Sequence, residues 1–158
     1  MCPKGDDPFT TFSDYHTLKI TTSSSLDPLD GQFKFVFQGE YFFFPANAAE
    51  FGDEECTAAV ISLPNIHSAS CTRGAVDLVT HATEYTIQIQ EFPLFPYENN
   101  IYFHEGNPSV DSYQCETTYL TGGSSPTCEI EVISTGDIPG DLIFHDSSDF
   151  AIYRLSLL

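Results

Sequence analysis

A chain of 158 residues is long enough to bury a substantial core, and its content of 41% hydrophobic and 14% aromatic residues excludes a disordered polar segment. Five Lys and Arg stand against 23 Asp and Glu, a formal charge of -18, and the five (Lys4, Lys19, Lys34, Arg73, Arg154) are scattered, which excludes nucleic acid and anionic membranes as partners. Such self-repulsion is relieved by salt or divalent cations, so the balance suits a saline or calcium-containing exterior.

Strict alternation dominates the chain, and short strands punctuated by Gly, Pro, Asn and Asp predict an all-β fold, an antiparallel β-sandwich or barrel. The first strand is expected over Thr17 to Thr22. Gln32 to Gln38 then sets Phe33, Phe35 and Phe37 on one face, and Gly39 permits a tight turn into the aromatic run Tyr41 to Phe44. That run predicts burial on both faces or an exposed, sticky surface. One helix is expected near residues 53–63, because Cys56, Ala59, Val60 and Leu63 recur at helical spacing, acids crowd its positive N-terminus and Pro64 ends it. Strands follow near Ile66 to Cys71 and Ala75 to Thr80, then at Glu84 to Gln90 with Tyr85, Ile87 and Ile89 on one face. Further strands are expected near Asn100 to His104, Tyr113 to Tyr119, Cys128 to Ile133, Leu142 to His145 and Ala151 to Leu157. The whole reads as a single β-rich domain over 1–158. The Pro-punctuated stretch Phe92 to Pro96 allows a division into two β subunits, 1–92 and 97–158.

The cysteines Cys2, Cys56, Cys71, Cys115 and Cys128 contain no C-x-x-C pair, and their spacing fits neither a zinc ribbon nor a redox motif. Disulfides are the expectation. Cys115 and Cys128 flank the turn-like Thr121 to Thr127, so bridging them would close a hairpin, and Cys56 with Cys71 is the next most local pair. Cys2 is left over. No apolar run is long enough to span a membrane, no signal peptide is visible before Cys2, as in the mature portion of a longer precursor, and no permitted N-x-S/T sequon occurs, since Pro108 follows Asn107. The Ser/Thr runs at Thr21 to Ser25 and Thr121 to Thr127 are either turns or acceptors for O-linked sugars, which would make the chain a glycoprotein.

Catalytic motifs are missing. His104-Glu105 opens like a zincin, but Pro108 stands where the second His is required. His16, His67, His81 and His145 are single, and no nucleophile elbow, P-loop or dinucleotide fingerprint occurs, so no enzymatic activity is expected. Acidic groups at Asp6-Asp7, Asp27 with Asp30-Gly31, Asp53 to Glu55, and Asp146 with Asp149 are candidate oxygen ligands for Ca²⁺, none in an EF-hand pattern. Asp6 and Asp7, framed by Pro3 and Pro8, are the best placed.

Several segments carry a family likeness. They are Cys2-Pro-Lys-Gly-Asp-Asp-Pro8 with Thr10-Thr11, Gly31 to Glu40, Ile61-Ser-Leu-Pro-Asn-Ile66, Cys71, the strand Tyr85 to Ile89, and Gly136-Asp-Ile-Pro139. In that order the chain resembles a unit of the long secreted repeat proteins of stramenopile algae and related protists, whose β-sandwich units are similar to IPT/TIG domains. The likeness covers about two thirds of the chain and is weakest around Asn100 to Ser125. It implies an extracellular structural or adhesive role, in filaments, with no catalytic residues to carry over. Only one unit is present here, so linkage between units would have to come from self-association.

Two functions follow as expectations. The first is a secreted structural subunit that polymerises with itself into a surface fibril, a helical polymer. Ala151 to Leu157 alternates, with Tyr153, Leu155 and Leu157 on one face, and would add as a strand to a neighbour, while Cys2 locks the contact at the opposite terminus. The second is a carbohydrate-binding or adhesion module of the cell surface, suggested by Tyr97, Tyr102, Tyr113 and Tyr119 beside acids, although Trp is absent. No cofactor is expected for either, with Ca²⁺ at Asp6 and Asp7 the one candidate.

Overall fold

The computed structural model describes residues 15–93, 102 and 106–134. The period-2 segments become β1 (Thr17–Ser23), β2 (Asp30–Phe37), β3 (Glu40–Pro45), β4 (Ser68–Arg73), β5 (Glu84–Glu91), β6 (Tyr113–Glu116), β7 (Leu120–Gly122) and β8 (Thr127–Ser134), with one α-helix, α1 (Asp53–Ile61). All pairings are antiparallel. One sheet runs β4-β5-β1-β8 and the other β3-β2-β6, with β7 also pairing β2. Strands from both sides of Phe92 therefore share each sheet. The result is an all-β sandwich carrying a single α-helix among the described residues.

Each sheet turns one face to a common core, because alternate residues of a strand point to opposite sides. Leu18, Ile20, Ile87 and Ile89 line the first inner face, and Phe33, Phe35, Phe37, Phe42 and Phe44 the second. Register pairs Phe35 with Phe42 and Phe33 with Phe44, so rings meet rings at 5.1 and 5.4 Å. Between the sheets, Phe44 meets the Tyr85 ring edge-on at 5.8 Å and Phe37 lies 5.9 Å from Phe92. Burial disfavours the Tyr85 phenolate and pushes the phenol up to about 12, with the Arg73 charge opposing in part. The expected turn after β2 is a two-residue loop, Gln38 and Gly39, with φ of 49° and 89°. Two positive φ values match the strand twist, and Gly39 takes its share without cost.

The two sides of the sandwich are closed differently. On one side Cys115 of β6 is bonded to Cys128 of β8. These strands do not pair; they belong to different sheets, so the bridge is an inter-sheet staple and not the hairpin closure that spacing suggested. The reason is that β6 and β7 both pair with β2, which leaves β8 to cross over to β1. On the other side α1 packs on β4 and reaches β3, and Cys56–Cys71 ties it to β4. Glu55 accepts from the Gly52 N–H and starts the helix, Cys56 and Val60 are its buried residues, and it stops at Ile61, two residues short of the expected end.

The helix also satisfies the outer edge of β4. The Cys71 N–H donates to Thr57 Oγ1 at 2.9 Å and the Arg73 N–H to Asp53 Oδ1 at 2.7 Å. Capped backbone groups cannot template another strand, so this edge is protected.

Two strand expectations need correction. Ala75 to Thr80 is a loop, because the Asp77 carboxylate accepts from the Val79 and Thr80 N–H groups and bends the chain into a turn, leaving Leu78 90% exposed. Those same hydrogen bonds hold the Asp77 carboxyl below the usual carboxylate range. Tyr113 to Tyr119 is not one strand either. It ends at Glu116, and a turn closed by the Leu120 N–H on the Thr117 carbonyl throws Tyr119 outward before β7 begins. The segments expected at Leu142 to His145 and Ala151 to Leu157 lie outside the described residues, as does Asn100 to His104 apart from Tyr102.

Candidate binding face

The outward residues of β2 and β3 are set by the alternation that buries Phe33, Phe35, Phe42 and Phe44. Their neighbours Lys34, Tyr41 and Phe43 must face away from the core. Tyr41 is 54% exposed, Phe43 38% and Tyr119 47%. The rings form a row: Tyr41 meets Phe43 edge-on at 5.6 Å, and Phe43 meets Tyr119 edge-on at 5.0 Å. The aromatic run thus has one buried face and one exposed face, the second of the two arrangements expected for it.

Tyr119 reaches this row through backbone geometry. Its carbonyl accepts from the Gln32 N–H at 3.1 Å, which draws the turn before β7 across β2 at Gly31. A Cβ at Gly31 would lie 2.6 Å from the Tyr119 carbonyl oxygen, and its φ of 89° is left-handed, so only glycine lets the two backbones approach. The Asp30 carboxylate accepts from the Gly31 N–H and steadies the crossing.

Polar groups frame the rings. Lys34 Nζ lies 4.8 Å from the centre of the Tyr41 ring and donates to both Glu116 carboxylate oxygens at 3.1 and 3.3 Å. Gln32 and Gln114 are exposed, Gln32 on the same strand as Lys34 and Gln114 on the same strand as Glu116. At the hairpin end, the Tyr102 hydroxyl donates to Glu40 at 2.9 Å, and that hydrogen bond pushes its phenol up. The face thus combines exposed ring surfaces with the Lys34–Glu116 pair and two exposed amide side chains.

The other expected site residues fall in several places. Of the four tyrosines that suggested glycan binding, Tyr119 joins the exposed row and Tyr102 stands near the hairpin end. Tyr113 is buried, stacked on Phe37 at 4.9 Å with its hydroxyl 3.4 Å from His16 Nδ1, and Tyr97 lies outside the described residues. Tyr41 and Phe43 went unassigned to this site because a run of four aromatics does not say which members face out. Of the candidate acids among the described residues, Asp53 caps β4, Glu55 caps α1, Asp30 accepts from the Gly31 N–H and Asp27 accepts from the Ser124 hydroxyl. The two Ser/Thr runs meet each other, with the Ser25 N–H and hydroxyl both donating to the Ser124 carbonyl.

Among the described residues, no three His, Cys, Asp or Glu side chains converge to hold a metal, and no helix is long and apolar enough to cross a membrane. Cys2, Asp6, Asp7, His104, His145, Asp146, Asp149, Tyr153, Leu155 and Leu157 lie outside the described residues, and with them the residues of the fibril contact and of the best-placed Ca²⁺ site.

Fold and disulfides define a class, the doubly stapled antiparallel β-sandwich, which fits an oxidising compartment. Comparison with protein-family models, with curated proteins and with solved structures finds no match.

Proposed function

We propose that this chain is an extracellular, non-catalytic β-sandwich module that binds glycans through the exposed face of β3-β2-β6. The observation that carries this reading is the row Tyr41, Phe43 and Tyr119, half-exposed on the outside of a sheet whose core is already filled by other aromatics. The electron-rich face of an aromatic ring attracts the polarised C–H groups of a pyranose, while Gln32, Gln114 and Glu116 supply partners for its hydroxyls.

Size favours a sugar over a protein partner. An aromatic side chain contributes about 150–250 Å², so three half-exposed rings present on the order of 300 Å². A stable protein interface needs roughly 800 Å² from each partner. The disulfides support an extracellular setting, and the protected edge of β4 is what a dispersed module needs to avoid unwanted strand addition.

The test is a glycan array probed with the isolated protein, followed by Tyr41→Ala and Tyr119→Ala. Each substitution is expected to weaken binding about tenfold, roughly 1.4 kcal/mol, with near-UV circular dichroism unchanged. A folded protein that binds no glycan but polymerises, seen by light scattering and electron microscopy, would replace this reading with the fibril subunit.

A further inference from the structure

The ring row has a defined reach. The centre-to-centre distances of 5.6 and 5.0 Å place Tyr41 and Tyr119 at most about 11 Å apart, the length of a disaccharide repeat. A ligand that engages both ends is a segment of a sugar chain as short as a disaccharide, and it lies beside Lys34 and Glu116. Electrostatics then decide which polymer.

The cations of the described residues are Lys19, Lys34 and Arg73, and each is already engaged. Lys34 is held between the Tyr41 ring and both oxygens of Glu116. Lys19 lies on the outside of the opposite sheet, between Glu84 at 3.6 Å and Glu131 at 3.7 Å. Arg73, on β4, donates to the Ala48 carbonyl at 2.6 Å. Among the described residues, the one cation that a carboxylate or sulfate meets at the row is Lys34, already paired with Glu116, and the chain it approaches has a net charge of -18. An uncharged hydroxyl meets no such penalty and finds the carboxylate of Glu116 as an acceptor.

Resting on the reading of this face as a glycan site, we infer that it selects uncharged polysaccharides and rejects acidic ones, with the Lys34–Glu116 pair as the element that sets the selection. Glu116 neutralises the one cation of the described residues that stands at the row. Removing its charge frees that ammonium for a ligand carboxylate.

The test compares two soluble polymers with the same backbone, hydroxyethyl cellulose and carboxymethyl cellulose, by affinity electrophoresis and calorimetry across a salt series. Wild-type protein is expected to bind the uncharged polymer at least about tenfold more tightly at low salt, with the gap narrowing as salt screens the repulsion. Glu116→Gln is expected to gain affinity for carboxymethyl cellulose by about tenfold. Equal or tighter binding of the carboxymethylated polymer by the wild type overturns the selection and leaves the glycan reading standing. An unchanged preference in a folded Glu116→Gln protein overturns the role of the ion pair. Absence of binding to both polymers, with Tyr41→Ala indistinguishable from wild type and no array signal, removes the glycan reading and the selection with it.

Discussion

The two sheets present similar interiors and opposite exteriors. Inside, both are continuous apolar surfaces, aliphatic on β1 and β5 and aromatic on β2 and β3. Outside, the β4-β5-β1-β8 sheet carries Lys19 between Glu84 and Glu131, among threonines and glutamines, with Ile133 of β8 half-exposed, whereas the β3-β2-β6 sheet carries Tyr41 and Phe43, joined by Tyr119 from the turn before β7. Folding requires only the interiors. A charged outer face is the ordinary solution for a solvated sheet, so a row of rings on the other sheet is the feature that needs a reason beyond stability.

The largest test of that difference sets the two faces of β2-β3 against each other. Phe35→Ala, at a fully buried position, is expected to cost about 3–5 kcal/mol in urea unfolding, while Phe43→Ala costs under about 1.5 kcal/mol and acts on glycan binding instead. Equal losses of stability would mean that the outer row is simply more core.

A second test asks what joins the sheets. Replacing both Cys115 and Cys128 by Ser removes a bridge closing a 13-residue separation and is expected to lower stability by about 3 kcal/mol. Because the staple links β6 to β8 and leaves the β2-β3 hairpin untouched, the folded fraction should still bind glycan. Calorimetry on the folded fraction checks this, and loss of binding there would show that the row depends on the position of β6.

The smallest effect belongs to the charged exterior. Lys19→Ala breaks two exposed contacts and is expected to change stability by less than about 1 kcal/mol, less still at high salt, with no change in glycan affinity. A clear drop in affinity would assign a binding role to the wrong sheet.

Most of the strands were legible because their alternation is local: Phe33, Phe35 and Phe37, or Tyr85, Ile87 and Ile89, state their shared face without reference to any partner. The helix was legible for the same reason, through the spacing of Cys56 and Val60. Ala75 to Thr80 misled because β-propensity at Val76 and Val79 was overruled by one Asp77 carboxylate bonding its own downstream amides, a turn device that hydrophobic pattern does not register.

The outer face of β2 and β3 marks the boundary between the two kinds of information. By itself the sequence determined an acidic, disulfide-bearing, all-β chain with an aromatic run either buried on both faces or exposed, since composition, cysteine separation and period-2 alternation are properties of the chain read in order. Tertiary structure alone decided that Tyr41 and Phe43 face outward, that Tyr119 is brought beside them across Gly31, and that Cys115 and Cys128 span two sheets instead of one hairpin. The physical reason is that each of these depends on which strand pairs with β2. That pairing joins residues some eighty positions apart, as in Lys34 opposite Glu116, and is settled by burial in the common core, not by neighbours along the chain.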